Sequence, residues 1–69
     1  GYTPSNLRRL LIESNLSQKE ARQVIGKERN TFSRYLYDPS NKNHVSMSYV
    51  HWVELVAYAQ QKVSEKGDQ

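Results

Sequence analysis

The sequence predicts a small all-α fold of four to five helices, and three observations lead to this prediction. Apolar residues recur at spacings of three and four along most of the chain, which is the period of a helix with one buried face. Residues that favour helix N-termini, Thr3 and Ser17 among them, stand just before these segments. Gly26 and the pair Asp38-Pro39, which favour helix ends, separate the segments.

Length and composition limit the class of protein. A chain of 69 residues predicts one domain, over residues 1–64, near the smallest size that folds without metals or disulfides. There is no cysteine, and two isolated histidines do not make a metal site, so we expect neither a metal nor another cofactor. No apolar run approaches the roughly 20 residues of a membrane span, and there is no leader pattern. We therefore expect a soluble, cytoplasmic protein without a membrane partner.

The positive charge is concentrated in the first half of the chain. Residues 1–37 carry seven Lys or Arg and three Glu, whereas residues 38–69 carry three Lys and four acidic residues. A basic face attracts phosphates, although a solvated helix surface can have the same composition by chance. Charge alone therefore leaves nucleic-acid binding open.

The first helix is predicted over about residues 4–14. Thr3 is a hydroxyl cap, and Pro4 is favoured at the first helical position. Leucines 7, 10 and 11 fall on one face, which leaves Arg8 and Arg9 on the other. These two arginines are either simply solvated or contact phosphate from the flank.

The second helix is predicted over about residues 18–25. The spacing of Ser17 and Glu20 is that of a capping box, with Leu16 as its hydrophobic staple. Residues 21, 24 and 25, which are Ala, Val and Ile, form the buried side. Gly26 ends the helix, because glycine adopts the left-handed conformation that a sharp turn requires.

The third helix is predicted over about residues 28–37, with Phe32, Tyr35 and Leu36 inward. Asp38-Pro39 is expected to end it, because the residue before proline avoids helical geometry. A polar loop follows over residues 38–46, in which Lys42, Asn43 and His44 are candidates for phosphate contact.

The last helix is predicted over about residues 47–64, and residues 65–69 are expected to be disordered. It carries two apolar stripes, one of which completes the core while the other is surplus in so small a chain. A surplus apolar stripe predicts burial against a partner. The predicted dimer-interface residues are Trp52, Leu55, Val56, Tyr58 and Ala59.

The segment LSQKEARQVIG followed by KERNTFSRYL resembles the helix-turn-helix of small phage-type repressors, the lambda-like and Cro-like proteins. In that family the second helix of the pair lies in the major groove of DNA and its first residues reach base edges. The resemblance implies a set of DNA-contacting residues in this chain. They are Ser17, Gln18, Lys19, Lys27, Glu28, Arg29, Asn30, Ser33 and Arg34. The predicted DNA-binding set also includes Thr31 and Tyr37, the latter as an aromatic neighbour of a basic helix that could contact the DNA backbone.

A further resemblance covers about residues 3–60. The order of LRRLLIESNLSQKEA, the turn glycine, TFSRYL, a loop and MSYVHWVELVAYA is similar to that of anti-CRISPR-associated repressors. This similarity implies a homodimer that binds an inverted-repeat operator on double-stranded DNA and represses its own anti-CRISPR operon. It also implies that the protein acts in the cytoplasm of a bacterial host cell.

Two positions depart from the family pattern. Arg22 stands where the family usually has a small residue between the two helices, although the neighbouring Ala21 is an alternative. Glu28 stands where a capping Ser or Thr is common, so it is either a cap or a contact to cytosine. The sequence leaves the roles of Arg22 and Glu28 open.

Other classes of function compete with DNA binding as explanations of this sequence. A protein-interaction or antitoxin-like module would use the same helices without reading DNA sequence, and would bind its partner through the last helix. RNA binding is less favoured, because sequence-specific RNA readers usually present aromatic side chains on a sheet. The chain has no nucleophile-base pair, carboxylate pair or phosphate loop, so we expect neither an enzyme nor a small-molecule substrate.

Overall fold

The computed structural model describes residues 1–67, with side chains described to residue 64. It contains four helices: α1 (Pro4–Glu13), α2 (Gln18–Val24), α3 (Arg29–Tyr35) and α4 (Tyr49–Gly67). No strand occurs in residues 1–67, so the prediction of an all-α fold is confirmed. None of the helices in this part of the chain has the length and apolar character needed to cross a membrane.

A tight turn at Asn15 joins α1 to α2. Asn15 has a left-handed backbone with a φ of 53°, and the Leu16 N–H donates to the Leu11 carbonyl at 2.9 Å. This is the hydrogen bond of a Schellman turn, in which the residues at its two ends also pack together. Leu11 and Leu16 are both buried, so the turn itself contributes to the core.

A turn of the same kind at Gly26 joins α2 to α3. Gly26 has a φ of 65°, and the Lys27 N–H donates to the Arg22 carbonyl at 2.9 Å. The predicted role of this glycine is therefore confirmed. The turn sets the direction in which α3 leaves α2.

Replacing Gly26 by alanine is expected to lower the free energy of unfolding by about 1 kcal/mol, the cost of a left-handed backbone for a residue with a Cβ. The Cβ itself would meet no atom within 4 Å, so no steric term adds to this cost. Urea denaturation measures the change. Gly26→Asn is the matched control and should lose less, because asparagine tolerates this conformation better. An alanine variant as stable as the wild type would contradict the prediction.

All four helices and the loop before α4 contribute to one core. Its fully buried large side chains are Leu7 of α1, Phe32 of α3 and Leu55 of α4. Ala21 and Tyr35 are also buried as predicted, whereas Val24 and Leu36 are only partly buried at its edge. The remaining buried hydrophobic residues of this core are Leu11, Leu16, Ile25, Met47 and Ala59.

Helix α3 is shorter than its predicted range of residues 28–37. The chain leaves helical geometry after Tyr35, before Asp38-Pro39 is reached. The carbonyls around this end accept hydrogen bonds from other parts of the chain, since the Val45 N–H donates to the Arg34 carbonyl and the Arg8 guanidinium donates to the carbonyl of Leu36, the residue after α3. Arg8 is an exposed side chain that bonds the end of α3, a role that neither prediction for it included.

Helix α4 starts at Tyr49 and extends beyond its predicted end. The Ser48 hydroxyl accepts a hydrogen bond from the His51 N–H, so Ser48 is the capping serine. Residues 65–67, predicted to be disordered, continue the helix because no helix-breaking residue precedes Gly67. Residues 68 and 69 of the predicted tail lie outside the described residues.

Candidate nucleic-acid interface

Helices α2 and α3 line one groove of about 410 Å³. Gln18, Lys19 and Arg22 line it from α2, and Arg29 lines it from α3. Three cations from two helices therefore share one surface concavity. Gln18, Lys19 and Arg29 are exposed, and Ser17 beside them is exposed as well.

The position of Arg22 answers one of the two questions that the sequence left open. Ala21 is completely buried, and it is the small residue in the core next to the turn. Arg22 is half-buried and lines the groove with Lys19 and Arg29. Arg22 therefore adds a charge to the candidate interface and is not a residue of the core.

The remaining predicted contact residues follow α3 and its two ends. Asn30 and Arg34 are exposed on α3, and Tyr37 is exposed just after it. Lys27, Thr31 and Ser33 are half-buried. Asn30 and Arg34 are four residues apart in one helix, so they lie on one face.

Glu28 occupies the N-cap position of α3 without acting as a side-chain cap. Its backbone is extended and its carbonyl accepts from the Phe32 N–H at 3.0 Å, but its carboxylate makes no capping hydrogen bond. The side chain is exposed. The capping alternative for the Glu28 side chain is therefore wrong, and contact with a base stays a prediction.

Glu20 faces helix α4 instead of closing the predicted capping box. The Ser17 hydroxyl does accept from the Glu20 N–H at 3.0 Å, so half of the box is present. The Glu20 carboxylate accepts one hydrogen bond from the Tyr58 hydroxyl and one from the Lys62 ammonium, the latter at 2.7 Å. These contacts, that of Lys62 first, hold the pKa of the Glu20 carboxyl below its usual value. The prediction of a reciprocal hydrogen bond from the Ser17 N–H to the Glu20 carboxylate is therefore wrong. Two donors on α4 hold this carboxylate instead.

Tyr2 connects three parts of the molecule, and sequence reasoning missed it. Its hydroxyl donates to the Tyr35 carbonyl at the end of α3 and contacts the His44 ring nitrogen at 3.2 Å. Its ring packs against that of Trp52 with centroids 6.1 Å apart. An aromatic residue just before the capping Thr3 is in the position of a hydrophobic staple. This position was the one signal in the sequence that could have predicted packing by Tyr2.

The loop after α3 contains both exposed and half-buried residues. Lys42 and Asn43 are exposed, whereas His44 is half-buried and contacts Tyr2. The Asp38 carboxylate accepts from the Ser40 hydroxyl and N–H, which lowers the pKa of the Asp38 carboxyl. Of the three candidates for phosphate contact in this loop, His44 is therefore turned inward.

The structure changes the predicted dimer interface on α4. Leu55 and Ala59 are 0% and 1% exposed in the core of the monomer, so they are not available to a partner. Tyr58 is half-buried and bonds to Glu20. Trp52 and Val56 remain at the surface and line a groove with Val53.

Periodicity alone does not decide which of the two apolar stripes of α4 faces the core. In the structure the stripe that contains Leu55 and Ala59 faces inward, and the stripe that contains Tyr49, Val53 and Val63 is exposed. Tyr49, Val50, Val53 and Val63 are 76%, 63%, 45% and 48% exposed. We call the seam of residues 49, 53, 56, 60 and 63 the outer face of α4. Four of its five members are Tyr or Val, and Gln60 is the fifth.

Comparison with known proteins gives no match of any kind. No protein-family model matches the chain, and no curated protein or solved structure matches it. The resemblance to phage-type repressors therefore stays a prediction.

Within the described residues, no group of three or more His, Asp or Glu side chains is placed to hold a metal ion.

Proposed function

We propose that this protein binds double-stranded DNA sequence-specifically, with α3 as the recognition helix of a helix-turn-helix and α2 on the DNA backbone. One observation supports this most. The single ion pair among the described side chains joins Lys62 to Glu20, away from the groove. Lys19, Arg22 and Arg29 therefore have no carboxylate partner in this part of the chain, and phosphates are the ligands that such cations favour.

The residue types on α3 suit base recognition. The Arg29 guanidinium can donate two parallel hydrogen bonds to guanine, and the Asn30 amide can bond both edge atoms of adenine. Arg34 lies one turn further along the same exposed side. In this arrangement α3 contacts base edges in the major groove of DNA. Gln18 and Lys19 contact the phosphate backbone on one side of that major groove.

The outer face of α4 supports a homodimer. Its members are spaced by four, three, four and three residues, which is the spacing of the seam between two paired helices. A second copy of this seam would cover the exposed Tyr and Val side chains. The two-fold symmetry of such a dimer places two α3 helices against half-sites about 34 Å apart in an inverted repeat.

The biological role that follows from this proposal is transcriptional repression. A dimer bound to a palindrome within a promoter excludes the polymerase from that promoter. The resemblance to anti-CRISPR-associated repressors makes autorepression of an anti-CRISPR operon the specific form that we propose. Its action in the cytoplasm of a bacterial host is part of the same proposal.

Selection of bound duplexes from a random DNA pool tests the proposed function. We expect enrichment of an inverted repeat, and binding that weakens steeply with salt because each phosphate contact lowers the slope of log K against log salt by about 0.9. Gel shifts over a salt series measure that slope, with a duplex of shuffled sequence as the control. Failure to bind any duplex at low salt would contradict the proposal.

A protein-interaction module is the second candidate, because an exposed apolar face also suits a different protein partner. In that case the basic groove has no functional role. Alanine at Arg29 would leave the partner bound, whereas the DNA-binding proposal requires that the same substitution weaken DNA binding.

A further inference from the structure

The carboxylate of Glu20 connects the proposed DNA-contacting helix α2 to α4 through two hydrogen bonds. Tyr58 and Lys62 donate to different oxygens of this carboxylate. The two donors are four residues apart, so they lie one turn apart on one side of α4. A carboxylate held by both donors restricts sliding of α2 along α4 and its rotation about its own axis.

The apolar contact between α2 and α4 is less directional than this pair of bonds. Ala21 and Ala59 are fully buried in the shared core, and alanine side chains interlock little with their neighbours. Small residues set a short distance between helices but restrict sliding and rotation weakly. The Glu20 hydrogen bonds therefore add a directional restriction to the apolar packing of α2 in this core.

The two sides of α4 have different tasks in the proposed dimer. Tyr58 and Lys62 face α2, whereas the outer face of α4, with Tyr49, Val53 and Val63, is directed to the second copy. Whatever fixes α2 on α4 in each monomer consequently fixes the two recognition units relative to the dimer axis. The charged state of Glu20 at neutral pH supports this role, because its pKa lies below the usual carboxyl value.

We infer that Glu20 is a positioning residue that, through Tyr58 and Lys62, sets the half-site spacing that the dimer accepts. The inference rests on the proposed DNA-binding function. Its physical basis is the geometry of B-DNA, where one base pair of extra spacing moves a half-site by about 3.4 Å and rotates it by about 35°. A dimer with fixed recognition units rejects such a displacement, whereas a dimer with loosely held units accepts it.

The test uses duplexes that carry the selected half-site twice, at the best spacing and at spacings one and two base pairs longer or shorter. For Glu20→Gln, which keeps only one acceptor oxygen and no charge, the preference for the best spacing should fall by about fivefold or more. Affinity for a duplex with a single half-site should not change. Glu54→Gln, an exposed carboxylate on α4 with the same charge change, should keep the wild-type preference.

Lys62→Met is the second variant, because it removes one donor and keeps the apolar stem. It should reduce the spacing preference in the same direction, and a thermal melt confirms that each variant is folded. An unchanged spacing preference in both folded variants would overturn the inference, as would an equal loss of affinity at every spacing. A wild-type protein that selects no DNA sequence would instead overturn the proposed function, and this inference with it.

Discussion

Replacing Arg29 by alanine is expected to weaken binding to the selected operator by about 5- to 150-fold, because a bidentate arginine-guanine contact is worth roughly 1–3 kcal/mol. Arg29 is exposed at the start of α3 and lines the groove with Lys19 and Arg22. The loss should be concentrated at one base pair of each half-site. Binding of the variant to duplexes with every base at that position measures both the affinity and the discrimination.

Two further variants separate charge from base recognition. Arg29→Lys keeps the charge but loses the planar fork, so it should retain binding to shuffled DNA and lose preference at the same base pair. Arg9→Ala removes the same charge from the exposed side of α1, outside the groove, and should leave the discrimination intact. Equal effects of Arg9→Ala and Arg29→Ala would mean that only the overall charge matters, which contradicts recognition by α3.

The local parts of this fold could be predicted because the residues that determine them are close together in the sequence. Thr3 and Ser17 cap the first two helices, and Gly26 forms the turn after the second. Each of these features depends on fewer than about five neighbouring residues, so a sequence pattern contains all the necessary information. The positions of α1, α2 and the turn at Gly26 were therefore predicted within a residue or two.

Features that depend on distant residues could not be predicted in the same way. Glu20 fits a capping box by its spacing from Ser17, yet Tyr58 and Lys62, about forty residues away, take its carboxylate. Val45 and Arg8 donate hydrogen bonds to carbonyls at the end of α3 and just after it. A single hydrogen bond contributes about 1 kcal/mol, which is similar to a local capping preference, so tertiary contacts of this kind compete with local patterns.

The same contrast between local and distant determinants applies to the candidate site on α2 and α3 and to the last helix, α4. The outward positions of α2 and α3 followed from the small number of apolar residues in each, which leaves only one possible buried side. Helix α4 has two apolar stripes, and only the packed core shows that Leu55 and Ala59 face inward. Two residues of the predicted interface, Leu55 and Ala59, therefore belong to the core, and an interface on α4 stays a prediction.

Replacing Val53 by glutamate is expected to convert the proposed dimer to a monomer. Val53 lies within the outer face of α4. A glutamate at this position in each copy would bury two like charges in the dimer seam, which is unfavourable. Glutamate is a good helix former, so circular dichroism should show unchanged helix content. Light scattering across a dilution series should give the mass of two chains for the wild type and of one chain for the variant.

Operator binding by Val53→Glu distinguishes a dimer interface from a surface for another protein. Linking two half-site contacts raises affinity by about 100-fold or more over one contact, so the variant should lose that factor on the full operator. On a duplex with a single half-site it should bind as the wild type does. Gln61→Glu adds the same charge to an exposed position of α4 outside the seam and should change neither mass nor affinity.

A wild-type protein that stays monomeric at every concentration would contradict the dimer prediction, and full operator affinity in a monomeric variant would separate dimerisation from DNA binding. Arg29→Ala and Val53→Glu act on different helices, α3 and α4. Arg29→Ala should change which base is preferred and leave the mass unchanged. Val53→Glu should change the mass and leave the preferred half-site unchanged. If either folded variant changed both properties, α3 and the outer face of α4 would not be independent. The shared core and the Tyr2 contacts that join the end of α3 to Trp52 would be the routes of coupling.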